Sequence, residues 1–109
     1  MTTIADYGNL SVRLPDTLYA AVQALAGRQH RLARDIHTEA VGALLAARAR
    51  GEPIRYVPSS KDARQRTIWL EKPVCEAAKA AAEEDRVSKT VLFLTALTRF
   101  CHDEGALAA

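Results

Sequence analysis

The chain repeats one pattern of residues with an offset of 56 positions, and this repeat limits the possible folds more than any other feature. Val12-Arg13-Leu14 aligns with Ile68-Trp69-Leu70. Further on, LYAAVQALA aligns with VCEAAKAAA, and RLARDIHTEAVGALL aligns with VSKTVLFLTALTRFC. Few positions are identical, but apolar and polar residues follow the same order in both copies. The repeat therefore predicts one structural unit that is present twice.

Each copy has the pattern of a short strand followed by two helices. Period-two alternation predicts that Val12 and Leu14, like Ile68 and Leu70, face a core. Apolar residues at helical spacing then predict the inward face of a first helix: Leu18, Ala21, Val22 and Leu25, repeated as Val74, Ala77, Ala78 and Ala81. The inward face of the second helix follows: Leu32, Ile36, Ala40, Val41, Leu44 and Leu45, repeated as Leu92, Phe93, Ala96, Leu97, Phe100 and Cys101.

A unit of about forty residues is too small to fold alone without a staple, and a lone strand leaves its backbone groups unpaired. Both problems disappear if the two units fold together. We predict a mainly α fold of two β-α-α units, an intramolecular pseudo-dimer with a two-stranded antiparallel ribbon and four helices. The predicted boundaries are an N-terminal tail at 1–8, a first unit at 9–50, a linker at 51–64, a second unit at 65–105 and a tail at 106–109.

If the apolar strand residues face the core, the residues between them face away from it. These are Asn9, Ser11 and Arg13 in the first strand and Gln65, Thr67 and Trp69 in the second. Amide, hydroxyl and guanidinium groups can read base edges in the major groove, which has the width of a two-stranded ribbon. Two alternatives remain open: an ordinary polar sheet face, and a register slip that buries Trp69 and turns Ile68 and Leu70 outward.

The strand-helix-helix unit resembles the ribbon-helix-helix family of DNA-binding proteins, to which the Arc and MetJ repressors belong. The matching stretches are LSVRLP and RLARDIHTEAV in the first copy, and RTIWL and VSKTVLFLTAL in the second. Two units in one chain are similar to the tandem form of the TraY accessory proteins of plasmid conjugation. The resemblance implies double-stranded DNA as the ligand, with a role in transcription regulation or in plasmid transfer or maintenance.

The N-terminus of each second helix is the predicted phosphate-binding region, because its N–H groups and dipole favour anions. Ser88, Lys89 and Thr90 stand there in the second copy, with Ser88 as the predicted N-cap. The first copy departs from the family pattern, since Leu32 occupies the position of the capping serine. Its predicted phosphate contacts are Arg31, Ala33 and Arg34.

The sequence contains no pattern that points to catalysis, to a metal or to a cofactor. Cys75 and Cys101 have no metal-ligand spacing, and the three histidines form no pattern with a nucleophile or a second ligand. His37 aligns with Phe93, so we expect a packed histidine. No apolar stretch has the length of a membrane span, and the start lacks a signal-peptide pattern, so the cytoplasm is the expected location.

A rival hypothesis is a protein-interaction module, with a relaxase or other DNA-processing protein, a partition protein or a toxin as its partner. The net charge of only +2 and the apolar residues Trp69, Val91 and Leu94 favour it. Val91 and Leu94 lie off the predicted core face, so we expect a cover over them. That cover is either the linker residues Ile54, Tyr56 and Val57 or a second molecule, and side-by-side self-association on DNA is also open.

Overall fold

The chain is mainly helical, with four helices and one two-stranded antiparallel sheet. A computed structural model describes residues 6–59 and 63–105, so most of the predicted N-terminal tail, linker residues 60–62 and the C-terminal tail at 106–109 lie outside the described part. The elements are, in chain order, β1 (Tyr7–Leu14), α1 (Asp16–Gln29), α2 (Ala33–Ala49), β2 (Arg64–Glu71), α3 (Lys72–Asp85) and α4 (Lys89–Asp103). None of these described helices combines the length and the apolar character needed to cross a bilayer.

The strands pair so that Ser11 lies opposite Thr67, its counterpart 56 residues further along the chain. The neighbouring outward pairs are Asn9 with Trp69 and Arg13 with Gln65. In the repeat, Asn9 corresponds to Gln65 and Arg13 corresponds to Trp69. The pair Asn9–Trp69 therefore corresponds to the pair Gln65–Arg13. The register of the ribbon thus has the same symmetry as the sequence.

The inward faces of the strands and helices share one core. Val12, Leu14, Ile68 and Leu70 are buried, as the alternation predicted. Each strand packs against the second helix of the other unit, β1 on α4 and β2 on α2. Both strands and all four helices therefore contribute to one shared core.

The helices begin and end where local chemistry allows it. Pro15 precedes α1, and Pro73 lies in the first turn of α3, where a missing N–H costs nothing. Both first helices end at a left-handed residue at equivalent positions, His30 and Arg86, with φ of 53° and 58°. Gly51 has a φ of 81° and follows the end of α2, where glycine tolerates the left-handed conformation that side chains disfavour.

Several sequence predictions need correction. β1 begins at Tyr7, inside the predicted tail, and β2 begins at Arg64, inside the predicted linker. Backbone pairing extends the strands, because Tyr7 lies opposite Glu71, and the N–H of Lys72 donates to the carbonyl of Asp6 at 2.8 Å. Pairing of this kind depends on the partner strand and leaves no signal in the local sequence.

Two predicted core residues are exposed. Leu32 is 55% exposed because it precedes the first turn of α2 and does not share the inward face of that helix. Ala77 is exposed as well, and Cys75 is buried in its place. α3 thus presents a slightly different face to the core than α1, whose four predicted core residues are all buried.

The linker packs on the protein through a polar cluster at the ends of α2 and α3. Arg48 donates two hydrogen bonds to the carboxylate of Asp85, at 2.9 and 2.8 Å, and the Tyr56 hydroxyl donates to the same carboxylate. The bonds from Arg48 and Tyr56 lower the pKa of Asp85 to about 2. Burial and the bond to Asp85 raise the pKa of Tyr56 to about 12. The cluster ties Tyr56 to the ends of α2 and α3.

The linker also provides part of the cover predicted over α4. The N–H of Val57 donates to the hydroxyl of the fully buried Thr95 at 2.8 Å, and the side chains of Ile54 and Tyr56 pack against the core. Leu94 is only 2% exposed in the single chain. A second molecule is therefore not needed to bury Leu94.

Candidate nucleic-acid interface

The six side chains that the alternation pointed outward are all exposed on the outer face of the ribbon: Asn9, Ser11, Arg13, Gln65, Thr67 and Trp69. The amide of Gln65 donates to the hydroxyl of Ser11 across the strands at 2.5 Å. Trp69 is 48% exposed, while Ile68 and Leu70 are buried. The register slip considered for β2 is therefore excluded.

The N-terminus of α4 adjoins the ribbon at the Arg13 end. Thr90 accepts a hydrogen bond from the backbone N–H of Arg13 at 3.3 Å, which joins the helix to β1. Ser88 caps α4, since its hydroxyl oxygen accepts from the N–H of Val91 at 3.1 Å. That hydroxyl still has a proton to donate.

A polar cavity of about 270 Å³ lies at this junction, lined by Ser11, Val12, Arg13, Ser59, Gln65, Ser88 and Thr90. It brings three of the predicted base-contacting residues together with two of the predicted phosphate-contacting ones. The third phosphate-contacting residue predicted for the second copy, Lys89, is the first residue of α4 and is exposed. Hydroxyl, amide and guanidinium donors around the start of a helix form a surface suited to a phosphate oxygen.

The N-terminus of α2, at the other end of the ribbon, is built differently. Its N-cap residue, Leu32, makes no side-chain hydrogen bond, as predicted from its apolar side chain. Ala33, the first residue of α2, is half-buried and contributes only its backbone N–H. The hydroxyl groups of Ser88 and Thr90 at the α4 end correspond to Leu32 and Arg34 here, neither of which carries a hydroxyl.

The two arginines predicted to compensate for the missing hydroxyl already have partners within the protein. Arg31 forms an ion pair with Glu39 and donates to the side-chain carbonyl of Gln29 at 3.0 Å. The guanidinium of Arg34 lies over the ring of Tyr7, 4.4 Å from its centroid. It is also 4.0 Å from the carboxylate of Asp35. Any phosphate at this end competes with these partners.

A second cavity, of about 230 Å³, lies at the α2 end, at the position equivalent to the polar cavity. Its lining residues are Leu14, Tyr19, Gln23, Ala33, Arg34, His37, Arg66, Thr67, Ile68 and Trp69. Sequence reasoning missed Tyr19, Gln23 and Arg66. The available signal was the position of Arg66 in β2, where alternation points a charged residue inward between the outward Gln65 and Thr67.

His37 forms part of the wall of this second cavity. It is buried, its ring meets that of Phe93 edge-on at 5.2 Å between centroids, and its Nδ1 lies 3.3 Å from the backbone carbonyl oxygen of Trp69. The expected packed histidine is confirmed. Burial lowers the pKa of His37, although the hydrogen bond to Trp69 opposes the change. The neutral imidazole with a proton on Nδ1 donates this bond and holds the backbone at Trp69 in place.

Within residues 6–59 and 63–105, no group of three or more His, Cys, Asp or Glu side chains could hold a metal ion. Cys75 and Cys101 are buried thiols, and burial raises the pKa of Cys101. No protein-family model, curated protein or solved structure matches this chain.

Proposed function

We propose that this protein binds double-stranded DNA in a sequence-specific manner and reads the major groove with its ribbon. It acts in the cytoplasm, as a transcription regulator or as an accessory factor of plasmid transfer or maintenance. The observation that supports this most is the outer face of the ribbon, where three cross-strand pairs expose six side chains, five of them polar.

The chemistry of that face suits base edges. Arginine donates two hydrogen bonds to guanine, asparagine and glutamine pair with adenine, and serine or threonine accepts or donates at several edges. Arg13, Asn9 and Gln65 supply the first two kinds of contact, and the central pair of Ser11 and Thr67 supplies the third. An ordinary solvent-facing sheet does not require this combination.

The proposal includes a tandem ribbon-helix-helix pseudo-dimer. Its support is the register, in which Ser11 lies opposite its own counterpart Thr67, and the packing of each strand against the second helix of the other unit. A two-fold axis through the central pair would relate one half to the other. The contacting side chains do not obey this symmetry, because Arg13 corresponds to Trp69. The expected DNA site is therefore not a perfect palindrome in its contacts.

The phosphate contacts are also unequal in the two halves. The α4 end offers Ser88, Lys89 and Thr90, and the polar cavity connects two of them with Arg13. The α2 end offers Arg31, Ala33 and Arg34, and both arginines have partners in the protein. We expect the α4 half to contribute more of the salt-dependent affinity.

The test is selection of bound duplexes from a random-sequence pool at two salt concentrations. An enriched asymmetric motif with salt-sensitive affinity would support the proposal. Two variants make the result specific: a triple alanine variant at Asn9, Arg13 and Gln65 should lose the motif, and Lys79→Ala should keep it. Lys79 lies on α3 and forms an ion pair with Glu76 at 3.5 Å. Weak binding without sequence preference in the wild-type protein would contradict the proposal.

A protein-interaction module remains the second candidate, and one observation favours it. The exposed large apolar residues among the described positions are Tyr19, Leu32 and Trp69. Tyr19 and Trp69 line the same cavity, and Leu32 directly precedes a third lining residue, Ala33. Such a surface fits a relaxase or another DNA-processing protein, or side-by-side self-association on DNA. Light scattering with and without DNA separates a monomer of 11.9 kDa from assemblies.

A further inference from the structure

The cavity at the α2 end combines aromatic, cationic and hydrogen-bonding walls. Two aromatic rings, Tyr19 and Trp69, and the imidazole of His37 surround about 230 Å³ next to the outer ribbon face. At about 30 Å³ of liquid volume for each water molecule, this space of about 230 Å³ would hold roughly eight. That is room for one planar heteroaromatic ring system.

Trp69 is fixed at its backbone and open at its side chain. Its flanking residues Ile68 and Leu70 are buried, and its carbonyl oxygen lies 3.3 Å from Nδ1 of His37. The indole nevertheless remains 48% exposed. The fixed backbone thus places the indole at the cavity, and its exposed surface is available for a planar ring to stack on.

The other walls supply positive charge and an unused donor. The guanidinium of Arg66 lies 3.9 Å from the centroid of Tyr19 and is held by Asp16 at 3.0 Å. Its Nε is buried and has no hydrogen-bond partner among the described residues. A buried N–H without an acceptor is costly, and a shift of the Arg66 side chain toward the cavity would let a ligand carbonyl oxygen satisfy it. The amide of Gln23 adds one donor and one acceptor.

We propose that this cavity receives a nucleobase that has left the stack of the bound duplex. This inference rests on the proposed DNA-binding function and goes beyond it. The base stacks on the indole of Trp69, and a carbonyl oxygen on its edge accepts from Arg66. DNA that holds an unpaired base, or a step that unstacks easily, is then preferred at this end of the site, because extrusion costs least there.

The contrast between the two ends of the ribbon supports the choice of a base over a phosphate. At the equivalent position near α4, the lining includes three serines, a threonine and Arg13. At the α2 end, Leu32 replaces the capping serine, Arg34 stands in place of Thr90, and the indole of Trp69 stands in place of Arg13. Aromatic side chains bind bases of any sequence through their faces, whereas phosphates need donors.

The experiment compares two labelled forms of the tightest duplex from the selected pool, one fully paired and one with a single unpaired thymine. The unpaired base is moved along the site in a series of duplexes. Fluorescence anisotropy gives the affinity for each. Trp69 is the single tryptophan of the chain, so its emission reports directly on stacking. Free thymidine serves as a third ligand, which distinguishes a base held within DNA from a small planar molecule.

We expect one position of the unpaired thymine to raise affinity by about tenfold and to quench the Trp69 emission. Trp69→Phe, which keeps an aromatic face, should retain most of this preference. Trp69→Leu, which keeps the apolar bulk, should lose this preference, measured as the ratio of the affinities of the same variant for the unpaired and the paired duplex. Circular dichroism of both variants verifies that they fold.

Equal affinity for paired and unpaired duplexes at every position, with unchanged Trp69 emission, would overturn this inference and leave the DNA-binding function intact. Failure of both duplexes to bind would overturn both. Saturable quenching by thymidine with no response to either duplex would assign the cavity to a small molecule and refute its role in DNA binding.

Discussion

The backbone of Gly8 lies directly against the side chain of Cys75, so closely that a Cβ atom on residue 8 would stand 2.9 Å from Sγ. β1 and α3 meet at this point, and Cys75 is fully buried there. The contact explains why α3 turns Cys75 toward the core, where the equivalent position of α1 holds the exposed Tyr19.

Gly8→Ala should therefore destabilise the protein, by about 1–3 kcal/mol as is typical for overpacking in a core. Urea unfolding measures the change. Cys75→Ala is the matched background, because it removes the sulfur that the new methyl group would meet. The cost of Gly8→Ala should fall in that background, and an equal cost in both backgrounds would show that the close contact is not its source.

Arg13→Ala should reduce affinity for the selected duplex by about 1–3 kcal/mol and relax the preference at one base pair. The reason is the loss of a bidentate contact to guanine from the outer face of β1. Selection with the variant checks both effects. Unchanged affinity and an unchanged motif would remove Arg13 from the base-reading residues.

Lys89→Ala should weaken binding to all sequences alike and lower the slope of log affinity against log salt by about one. Lys89 begins α4 beside the capping Ser88, where a phosphate is expected. Titrations at several salt concentrations give the slope. Lys79→Ala removes one positive charge from α3 and should leave the slope unchanged. Equal effects of the two variants would refute a specific phosphate contact by Lys89.

The stability of the protein should fall as the pH drops below about 6.5, because of His37. Burial sets the pKa of His37 in the folded state below its ordinary value of 6.5. Between these two pKa values the unfolded chain binds more protons than the folded protein. The free energy of unfolding therefore decreases as the pH falls, until the pH lies below the pKa of the folded state. Urea unfolding at a series of pH values tests this. His37→Leu should flatten this part of the curve, and replacement of the exposed His102 by Gln should not.

Tyr56→Phe should cost roughly 1–2 kcal/mol at neutral pH, since it removes the hydrogen bond by which the linker reaches Asp85. In acid, the cluster weakens for another reason. The pKa of Asp85 lies at about 2 in the folded protein against 3.8 ordinarily, so its contribution is complete above 3.8 and is lost as the pH falls toward 2. Asp85→Asn should remove this acid dependence in unfolding experiments, and a dependence equal to that of the wild-type protein would contradict the assignment.

The repeat and the alternation together predicted the parts of the fold that depend on sequence pattern alone. They gave four helices, two paired strands and the outward orientation of Trp69, because a buried core fixes which strand residues point inward. The N-cap role of Ser88 and the packed state of His37 opposite Phe93 also followed from local rules and alignment.

The remaining features depend on how elements approach one another, which no local pattern encodes. Tyr7 joins β1 because Glu71 lies opposite it. The aromatic cavity forms because α1 brings Tyr19 to Arg66 of β2, across 47 positions of the chain. The exchange of Ala77 for Cys75 in the core follows from the close approach of Gly8. The rotation of α1 and α3 about their axes determines the last two of these contacts.

The pairing of β1 with the distant β2 has a consequence for synthesis of the chain. β1 is made first, yet its hydrogen-bonding partner, Arg64–Glu71, emerges from the ribosome more than fifty residues later. During that interval β1 is an open edge, and neighbouring nascent chains carry the same edge. The chain between β1 and β2 acts as a tether, which keeps the second strand at an effective concentration on the order of millimolar once it appears. A covalent connection thus gives the correct partner an advantage over the many identical chains on the same messenger.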